Sequence, residues 1–360
     1  MGSFKDMCFT PAEFANLAKI DRNLISGLES QGLVRTIKKR VGNVDRKMIA
    51  LEDMQNYFRL SRDGRHGDQS EPTDQTDEVA SGATAAGPAL PASQGVDAVA
   101  AATGFILREP KHKIQMFYNV KGGTGKSTLT AQYVMRASMM GLNVLALDLD
   151  GQGHLSVNLD ILTGHESPTI YDVLINDLPI EQAIMNVAPG LDLIPANLGL
   201  CNIEIPLNNK PRREYRLAEA LARISDRYDI IVADTNPAAS ILNGSMMVAS
   251  DLVSVICATN PLSFHGMSLV MATIEGMERE FRRELDVKIV PNLYDNREVI
   301  SQEVLGELRS QFPEFCTKSV VNRCADLNEA TKRRTTVWDV SSKGTAAQDI
   351  SSLTEELLFS

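Results

Sequence analysis

The fold is decided by residues 114–128, which read IQMFYNVKGGTGKST. Apolar residues dominate positions 114–120, a glycine-rich turn follows, and the segment after it has the apolar spacing of a helix. A strand, a glycine-rich loop and a helix in this order form the context in which a loop binds phosphate. Glycines let the backbone approach phosphate oxygens, and N–H groups at the helix N-terminus supply positive potential. The sequence therefore predicts a nucleoside triphosphate site.

Two side chains of this loop carry the predicted chemistry. Lys126 is expected to reach the β- and γ-phosphates, and the Ser127 hydroxyl is expected to ligate Mg²⁺. A glycine-rich turn with incidental lysines is the alternative, but eight residues in register with the right flanks argue against it. The predicted nucleotide-binding residues of the loop are Lys121, Gly122, Gly123, Thr124, Gly125, Lys126, Ser127 and Thr128.

The loop departs from the pattern G-x-x-x-x-G-K-[ST] at its first position, where Val120 replaces glycine and Lys121 follows. Lys126 is already expected to contact the phosphates bound by its own chain, so a second lysine is not needed to bind them. A lysine at this place resembles the signature lysine of the deviant Walker A, or ParA/MinD, family of ATPases. The resemblance implies ATP as the nucleotide, and a homodimer in which Lys121 contacts the partner chain's phosphates. A solvated surface lysine is the alternative.

Composition divides the chain into three parts. Its 360 residues carry a net charge of −10, and 43% hydrophobic with 23% charged residues is ordinary for a globular protein. Residues 66–104 hold 6 acidic residues and no Lys or Arg, and they are too poor in apolar residues to build a core. We therefore expect a flexible linker at 63–110, between an N-terminal domain at 1–62 and a larger domain at 111–360.

Two features that the sequence lacks narrow the class further. It contains no run of 18 apolar residues and no signal-peptide pattern, which predicts a cytoplasmic protein. Its five cysteines include no C-x-x-C pair, so neither disulfides nor a cysteine-bound metal are expected.

The first 62 residues have the signals of a small DNA-binding domain. Residues 10–13 (TPAE) form a capping box with proline at the first helical position, which predicts a helix to about Ala18. Asp21 is expected to cap a second helix. Residues 33–51 predict two strands around a Gly-Asn turn, and a third helix is expected at 51–60. This order is that of a winged helix-turn-helix, and it resembles the MerR-type DNA-binding unit.

Positive charge concentrates in this N-terminal part. Residues 1–65 carry 12 Lys and Arg against 8 Asp and Glu, and the hairpin has one acid, Asp45. A basic wing beside a recognition helix can hold DNA phosphates, whereas base contacts are expected at the start of the second helix. A solvated hairpin in a protein-interaction module is the alternative. The predicted DNA-binding residues are Arg22, Asn23, Arg35, Lys38, Lys39, Arg40, Arg46 and Lys47.

From residue 111 onward, strand-like and helical segments alternate. This alternation predicts an α/β fold with a mostly parallel, doubly wound sheet and ligands at the carboxyl ends of its strands. The predicted strands are 114–120, 144–149, 191–195, 230–233, 252–257 and 287–291.

Three aspartates end predicted strands and complete the expected catalytic set. Residues 148–152 (DLDGQ) resemble the family's Asp-x-Asp-Pro-Gln switch, with Gly151 in place of proline. The match implies that Asp150 positions or activates the attacking water, and that Asp148 is a structural and metal-side carboxylate. Asp234 ends an apolar strand and resembles the Walker B aspartate that holds a magnesium-bound water. The family's Thr-Pro-Pro reads Thr-Asn-Pro here, which leaves the conformation of this second switch open.

Weaker motifs extend the resemblance over roughly residues 112–358. By this match Asn292 falls where relatives contact the adenine. Arg297 and Arg323 match positions that bind DNA without sequence preference in partition ATPases. A further basic position of that pattern is occupied by Asp326 here. Three basic residues nearby can compensate for it, namely Lys332, Arg333 and Arg334. A solvated basic cluster without a role in DNA binding is the alternative for these three.

These patterns together predict a plasmid or chromosome partition ATPase. ATP would close a homodimer that binds bulk DNA, a centromere-bound ParB-type partner would stimulate weak hydrolysis, and the N-terminal domain would repress its own operon. Such a protein works at the bacterial nucleoid. A transcription regulator that uses the ATPase fold as a nucleotide-sensing dimerisation switch is the alternative. A membrane-cycling relative needs a basic amphipathic C-terminal helix, but this chain ends in the acidic segment TEELLFS, so no membrane partner is expected.

Overall fold

The computed structural model describes residues 4–41, 44–63, 109–164 and 166–360. The chain divides into two units, of which the small unit spans Cys8–Arg108 and the large unit combines Met1–Met7 with Glu109–Ser360. The predicted linker at 63–110 lies almost wholly outside the described residues, and so does the predicted turn at 42–43.

The described part of the small unit contains three helices and a three-stranded antiparallel sheet in the order β1-β3-β2. Its elements are β1 Cys8–Phe9, α1 Pro11–Ala18, a 3₁₀ turn Arg22–Leu24, α2 Ile25–Ser30, β2 Ile37–Val41, β3 Val44–Ala50 and α3 Leu51–Asp63. The predicted first helix, hairpin strands and third helix are confirmed. The second helix begins later than predicted, because Asp21 accepts a hydrogen bond from the Asn23 N–H and so caps the 3₁₀ turn. The strand β1 was not predicted.

Local chemistry explains where the first helix of the small unit begins. The Thr10 hydroxyl accepts from the Glu13 N–H at 3.3 Å, and the Glu13 carboxylate accepts from the Thr10 N–H at 2.7 Å. This reciprocal pair satisfies two N–H groups that a helix start leaves unpaired. Behind it, Phe14 and Tyr57 are fully buried and meet edge to face at a centroid distance of 5.2 Å.

The large unit is built on a seven-stranded sheet in the order β10-β9-β4-β8-β5-β7-β6. All neighbouring strands are parallel except β6 and β7, which form an antiparallel edge pair. The strands are β4 Ile114–Tyr118, β5 Val144–Leu149, β6 Met185–Ala188, β7 Leu191–Ile194, β8 Ile230–Thr235, β9 Leu252–Ala258 and β10 Asp286–Asn292. The predicted α/β fold with a mostly parallel sheet is confirmed. The edge strand β6 was missed, because its first two residues are exposed and give no buried-strand pattern.

Helices occupy most of the connections between the strands of the large unit. The helix after β4 packs against the C-terminal helix, and the helix after β8 packs against the helices Glu204–Asn208, Arg216–Ala222 and Met267–Phe281. The helices are α4 Lys126–Met139, α5 His154–Asn158, α6 Ile170–Ile175, α7 Glu204–Asn208, α8 Arg216–Ala222, α9 Ile241–Ala249, α10 Pro261–His265, α11 Met267–Phe281, α12 Val299–Gln311, α13 Ala325–Arg333, α14 Val337–Ser341 and α15 Thr345–Phe359. Within the described residues, no helix has the length and apolar character needed to traverse a bilayer.

Candidate active site

The glycine-rich loop joins the end of β4 to the start of α4, as predicted. Gly123 and Gly125 have φ values of +75° and +86°, which disfavour side-chain-bearing residues. Gly125 is the N-cap of α4 and provides no side-chain cap, so the first N–H groups of the helix remain available to a ligand. The Lys126 ammonium donates to the Lys121 carbonyl at 3.1 Å and thereby folds back over the loop. This geometry suits an anion held by backbone N–H groups and one buried lysine.

Asn292, at the end of β10, holds the loop by a hydrogen bond to its backbone. Its Nδ2 donates to the Thr124 carbonyl at 2.7 Å, and the side chain is only 2% exposed. A Cβ on Gly125 would lie 2.5 Å from that same nitrogen, so the loop needs glycine there for space as well as for φ. The role of Asn292 in contacting adenine stays a prediction.

The loop forms one wall of a cavity of about 440 Å³. The other walls come from the segment after β5, the loop after β8 and the helix α13. The structure brings all eight predicted loop residues except Lys121 to this cavity, together with Asp150. Five further residues line it and were not predicted as site residues, namely Gln152, His154, Asn158, Pro237 and Thr331. Gln152 lies within the DLDGQ motif, which was a usable signal, whereas Thr331 comes from a helix far along the chain.

Asp148 is fully buried, and both of its carboxylate oxygens already accept hydrogen bonds. One accepts from the Ser156 N–H at 2.8 Å and from the Ser156 hydroxyl at 2.7 Å, and the other accepts from the Asp150 N–H at 3.2 Å. Burial raises the pKa of Asp148 to about 6 despite these bonds. The carboxylate therefore ties the start of α5 to the loop that carries Asp150.

Asp234 lies directly opposite Asp148 in the parallel pair β5–β8, and it is also fully buried. No hydrogen bond of ordinary geometry reaches its carboxylate oxygens within the described residues, although the Ser127 hydroxyl lies close enough to interact with them. Burial, followed by the neighbouring Asp148 charge, raises the pKa of Asp234, whereas Ser127 and Lys126 lower it. A buried carboxylate with so little hydrogen bonding either takes up a proton or gains a compensating ligand. Beside Ser127 and Lys126 of the phosphate loop, this carboxylate fits a cation or a metal-bound water.

The loop that carries Asp150 is packed tightly at its centre. Asp150 is half-buried, and its Oδ1 accepts from the Gln152 N–H at 3.0 Å. A Cβ on the next residue, Gly151, would lie 2.4 Å from the Cys201 Sγ. At this position, where the resemblance expects proline, the space that a side chain would need is filled by Cys201 from a distant 3₁₀ turn, Leu198–Asn202.

The basic residues predicted on the large unit form two groups. Near the end of β10, Arg297 makes a two-pronged ion pair with Asp295, with Nε–Oδ1 and Nη2–Oδ2 distances of 2.9 and 2.7 Å. The Arg323 N–H donates to the Tyr294 carbonyl, which places that residue beside the same loop. The second group ends α13, where Arg333 pairs with Glu329 and Arg334 with Asp160, and where Lys332 is exposed.

The predicted DNA-binding residues of the small unit lie in three places. Arg22 and Asn23 form the exposed 3₁₀ turn before α2, and Arg35 is exposed on the segment before β2. The others lie on the two strands of the hairpin, and Lys47 also pairs with Glu29 of α2. The cross-strand partners are Lys38 with Lys47, Lys39 with Arg46, and Arg40 with Asp45.

Comparisons with known proteins place these features in context. Residues 112–287 match the family model described as an AAA domain. The chain is 34% identical over 252 residues to the cell division protein PomZ of Myxococcus xanthus. The alignment covers 69% of this chain and 78% of that protein. It is 32% identical over 216 residues to the chromosome partitioning protein ParA of Caulobacter vibrioides, covering 59% of this chain and 81% of the relative.

A solved structure with the same fold is cobyrinic acid a,c-diamide synthase from Mycobacterium smegmatis with bound ADP and magnesium. The TM-score is 0.60 at 24% identity, over 68% of this chain and 92% of that chain. At this identity the likeness shows the fold alone.

Proposed function

This chain belongs to the ParA/MinD family of P-loop ATPases, and from that premise we propose that it is a DNA-segregation ATPase of the plasmid or chromosome partition type. The ATP-bound chain forms a homodimer that binds DNA without sequence preference. A centromere-bound ParB-type protein stimulates a weak hydrolysis and thereby releases the dimer from DNA. The cycle takes place at the bacterial nucleoid in the cytoplasm, and the small unit represses the protein's own operon.

The observation that carries the proposal is the fully buried carboxylate of Asp234, which lies close to Ser127 and Lys126 of the phosphate loop. Ser127 and Asp234 would hold Mg²⁺, since both offer oxygen, the ligand that this ion prefers. The described residues contain no cluster of three or more His, Cys, Asp or Glu for a metal. That fits Mg²⁺, which takes one or two carboxylates and completes its shell with water and phosphate oxygens. When bound, the ion neutralises phosphate charge.

The remaining residues of the cavity supply positioning and charge. Lys126 is buried and reaches the loop interior, where its ammonium would exchange the Lys121 carbonyl for a phosphate oxygen. Asp150 lines the cavity and would position or activate the attacking water, while Asp148 accepts a hydrogen bond from the Asp150 N–H. Phosphoryl transfer depends mainly on positioning and on charge stabilisation. These residues provide both.

Lys121 supports the dimer part of the proposal. Its backbone serves the loop, because its N–H donates to Asn119 and its carbonyl accepts from Lys126. Its side chain is half-buried, and its ammonium has no ion pair or hydrogen bond among the described residues. A cation that its own loop does not use is available to the phosphates of a second copy.

The hairpin of the small unit supports the DNA part. Lys38 lies opposite Lys47 and Lys39 lies opposite Arg46, so like charges face each other at two successive positions. Such pairs destabilise a hairpin by a few tenths of a kcal/mol to about 1 kcal/mol each, although the ion pair of Lys47 with Glu29 offsets part of this at one position. Phosphates on both sides of the hairpin would turn this repulsion into attraction.

The proposal is tested by measuring dimerisation, ATP binding and phosphate release on the full chain with Mg²⁺. Lys126→Ala is expected to abolish binding of a fluorescent ATP analogue, and Lys121→Ala to bind it but remain monomeric. Asp150→Ala is expected to trap the ATP-bound dimer. Lys210→Ala, which removes a lysine paired with Asp177 outside the cavity, is the charge-matched control. A parent chain that stays monomeric with ATP and releases no phosphate would refute the proposal.

A second candidate, a transcription regulator with nucleotide-sensing dimerisation, is favoured by the exposed basic hairpin of the small unit. Phosphate release measured with duplex DNA, with a ParB-type protein and with both separates the two. Joint stimulation supports partition. Sequence-specific DNA binding without ATP, together with turnover that neither addition changes, supports the regulator.

A further inference from the structure

A buried amide holds the loop that follows Asp234. Asn243 lies in α9 and is 2% exposed. Its Nδ2 donates to the Asn236 carbonyl at 3.1 Å, to the Asn236 Oδ1 at 2.9 Å and to the Ala238 carbonyl at 2.6 Å. Two of these acceptors are backbone carbonyls, which can only accept, so the orientation of the amide is fixed. One side chain thus fastens residues 236–238 to the helix that comes after them.

The amide is retained at a cost to stability. The Oδ1 of Asn243 is buried and has no hydrogen-bond partner within the described residues. An unsatisfied buried acceptor costs about 1–3 kcal/mol. Leucine has nearly the same shape and would avoid that penalty. The position therefore has a use for the two N–H donors of the amide that packing alone does not explain.

The loop that Asn243 holds touches the candidate active site at both ends. It begins directly after the strand that presents Asp234, where the Thr235 hydroxyl donates to the Phe117 carbonyl at 2.7 Å. It also contains Pro237, which lines the cavity beside the phosphate loop. A shift of this loop would therefore move one wall of the cavity and the backbone next to Asp234.

We propose that Asn236 and Asn243 form a positioning pair for ATP hydrolysis, which holds this loop in the arrangement that turnover requires. The inference rests on the proposed function, because it concerns the rate of that reaction. Asn236 precedes Pro237 and is therefore already restricted to extended backbone. A proline at position 236 would fix the same region covalently and would make the hydrogen bonds of Asn243 dispensable.

The test uses the full chain and compares Asn243→Leu and Asn243→Ala in two backgrounds, the parent and Asn236→Pro. In the parent background each variant is expected to lower kcat about 10- to 100-fold, the range that a misplaced active-site wall produces. The KM for ATP is expected to change less than threefold, because the phosphate loop is untouched. In the Asn236→Pro background the same substitutions are expected to lower kcat less than threefold. Asn186→Ala removes an amide that bridges Ala188 and Asp192 at the sheet edge, and it is the control.

Stability separates positioning from a structural role. Asn243→Leu removes the unsatisfied oxygen but also the hydrogen bonds of Nδ2 to the loop, and these two effects on stability oppose each other. Its unfolding midpoint is therefore expected to stay close to that of the parent while its kcat is low. Equal losses of kcat in both backgrounds, or losses that follow stability, would overturn the inference and leave the proposed function standing. A parent chain without ATP turnover would overturn the inference together with the proposed function.

Discussion

Replacing Gly151 by alanine places a methyl group where the structure has no room for it. The added Cβ would lie 2.4 Å from the Cys201 Sγ and 2.9 Å from the Cys201 backbone nitrogen. Real Cβ atoms do not approach other atoms this closely, so either the loop or the 3₁₀ turn that carries Cys201 must move. Because Gly151 follows Asp150 directly, the displacement falls on the residue predicted to position the attacking water.

The size of the effect follows from the two contacts. Inserting a methyl group into a filled site typically costs 1–3 kcal/mol, and we expect about 2 kcal/mol for Gly151→Ala. The thiol is the end of a short side chain and can be removed, whereas the backbone nitrogen cannot. In a Cys201→Gly background the loss is therefore expected to fall to about 1 kcal/mol. For kcat we expect a loss of about 10- to 100-fold, with partial recovery in the double variant.

Tryptophan fluorescence provides a clean assay for stability. The chain has a single tryptophan, Trp338, which is 4% exposed in the large unit, so its signal in urea reports the unfolding of that unit. Gly306→Ala is the matched control, since a Cβ there meets nothing within 4 Å. Gly306 lies inside α12, where alanine is expected to stabilise the helix by about 0.5–1 kcal/mol.

A Gly151→Ala chain as stable as the parent within about 0.5 kcal/mol, a margin set by ordinary surface substitutions, would refute the expected clash. So would a Cys201→Gly background that restores neither stability nor kcat. The first result would mean that the loop moves freely, and the second that the thiol is not the obstacle.

Three further predictions follow from single side chains. Burial and the Asp148 charge raise the pKa of Asp234 to about 8 from 3.8, so the ATP-free parent should lose stability between about pH 4 and 8. Because the pKa of Asp148 is also raised, to about 6, Asp234→Asn should remove the slope above about pH 6, and urea midpoints that stay parallel there would contradict it. Asp295→Asn should free the guanidinium of Arg297, strengthen duplex binding and steepen its salt dependence by about one unit, as titrations at several salt concentrations would show. Thr10→Ala should lower the local opening free energy at the start of α1 by about 1 kcal/mol in hydrogen exchange, and unchanged protection would argue against the cap.

The sequence predicted those parts of the large unit whose structure depends on residues close together in the chain. The loop at 121–128 was readable because glycine, lysine and serine must occupy fixed positions there, whatever lies around them. The central strands were readable because both of their faces are buried, which gives continuous apolar runs such as residues 230–233 (IIVA). The strand Met185–Ala188 lies at the sheet edge, so its sequence shows neither an apolar run nor a regular alternation.

The surroundings of the site were not predictable, because its contacts join segments far apart in the chain. Nothing in the sequence near Gly151 indicates Cys201, and nothing near Asn236 indicates Asn243 as its partner. At both places the family pattern has a proline, and this chain instead has a smaller or more polar residue that another side chain meets. When one segment is compared with the family pattern, such a position shows only that the residue differs, and the distant side chain that contacts it is missed.

The contact between Asn292 and the phosphate loop shows why such positions must be considered in pairs. Asn292 follows Thr124 by 168 positions and donates to its carbonyl, while its nitrogen fills the space where a side chain on residue 125 would project. Glycine at 125 therefore meets two requirements at once, the left-handed φ of the loop and the close approach of an amide from β10. Truncating Asn292 would remove only the second requirement, so alanine at 125 would remain strained. The sequence of the phosphate loop thus determines its conformation, whereas its contact with β10 determines where the loop lies.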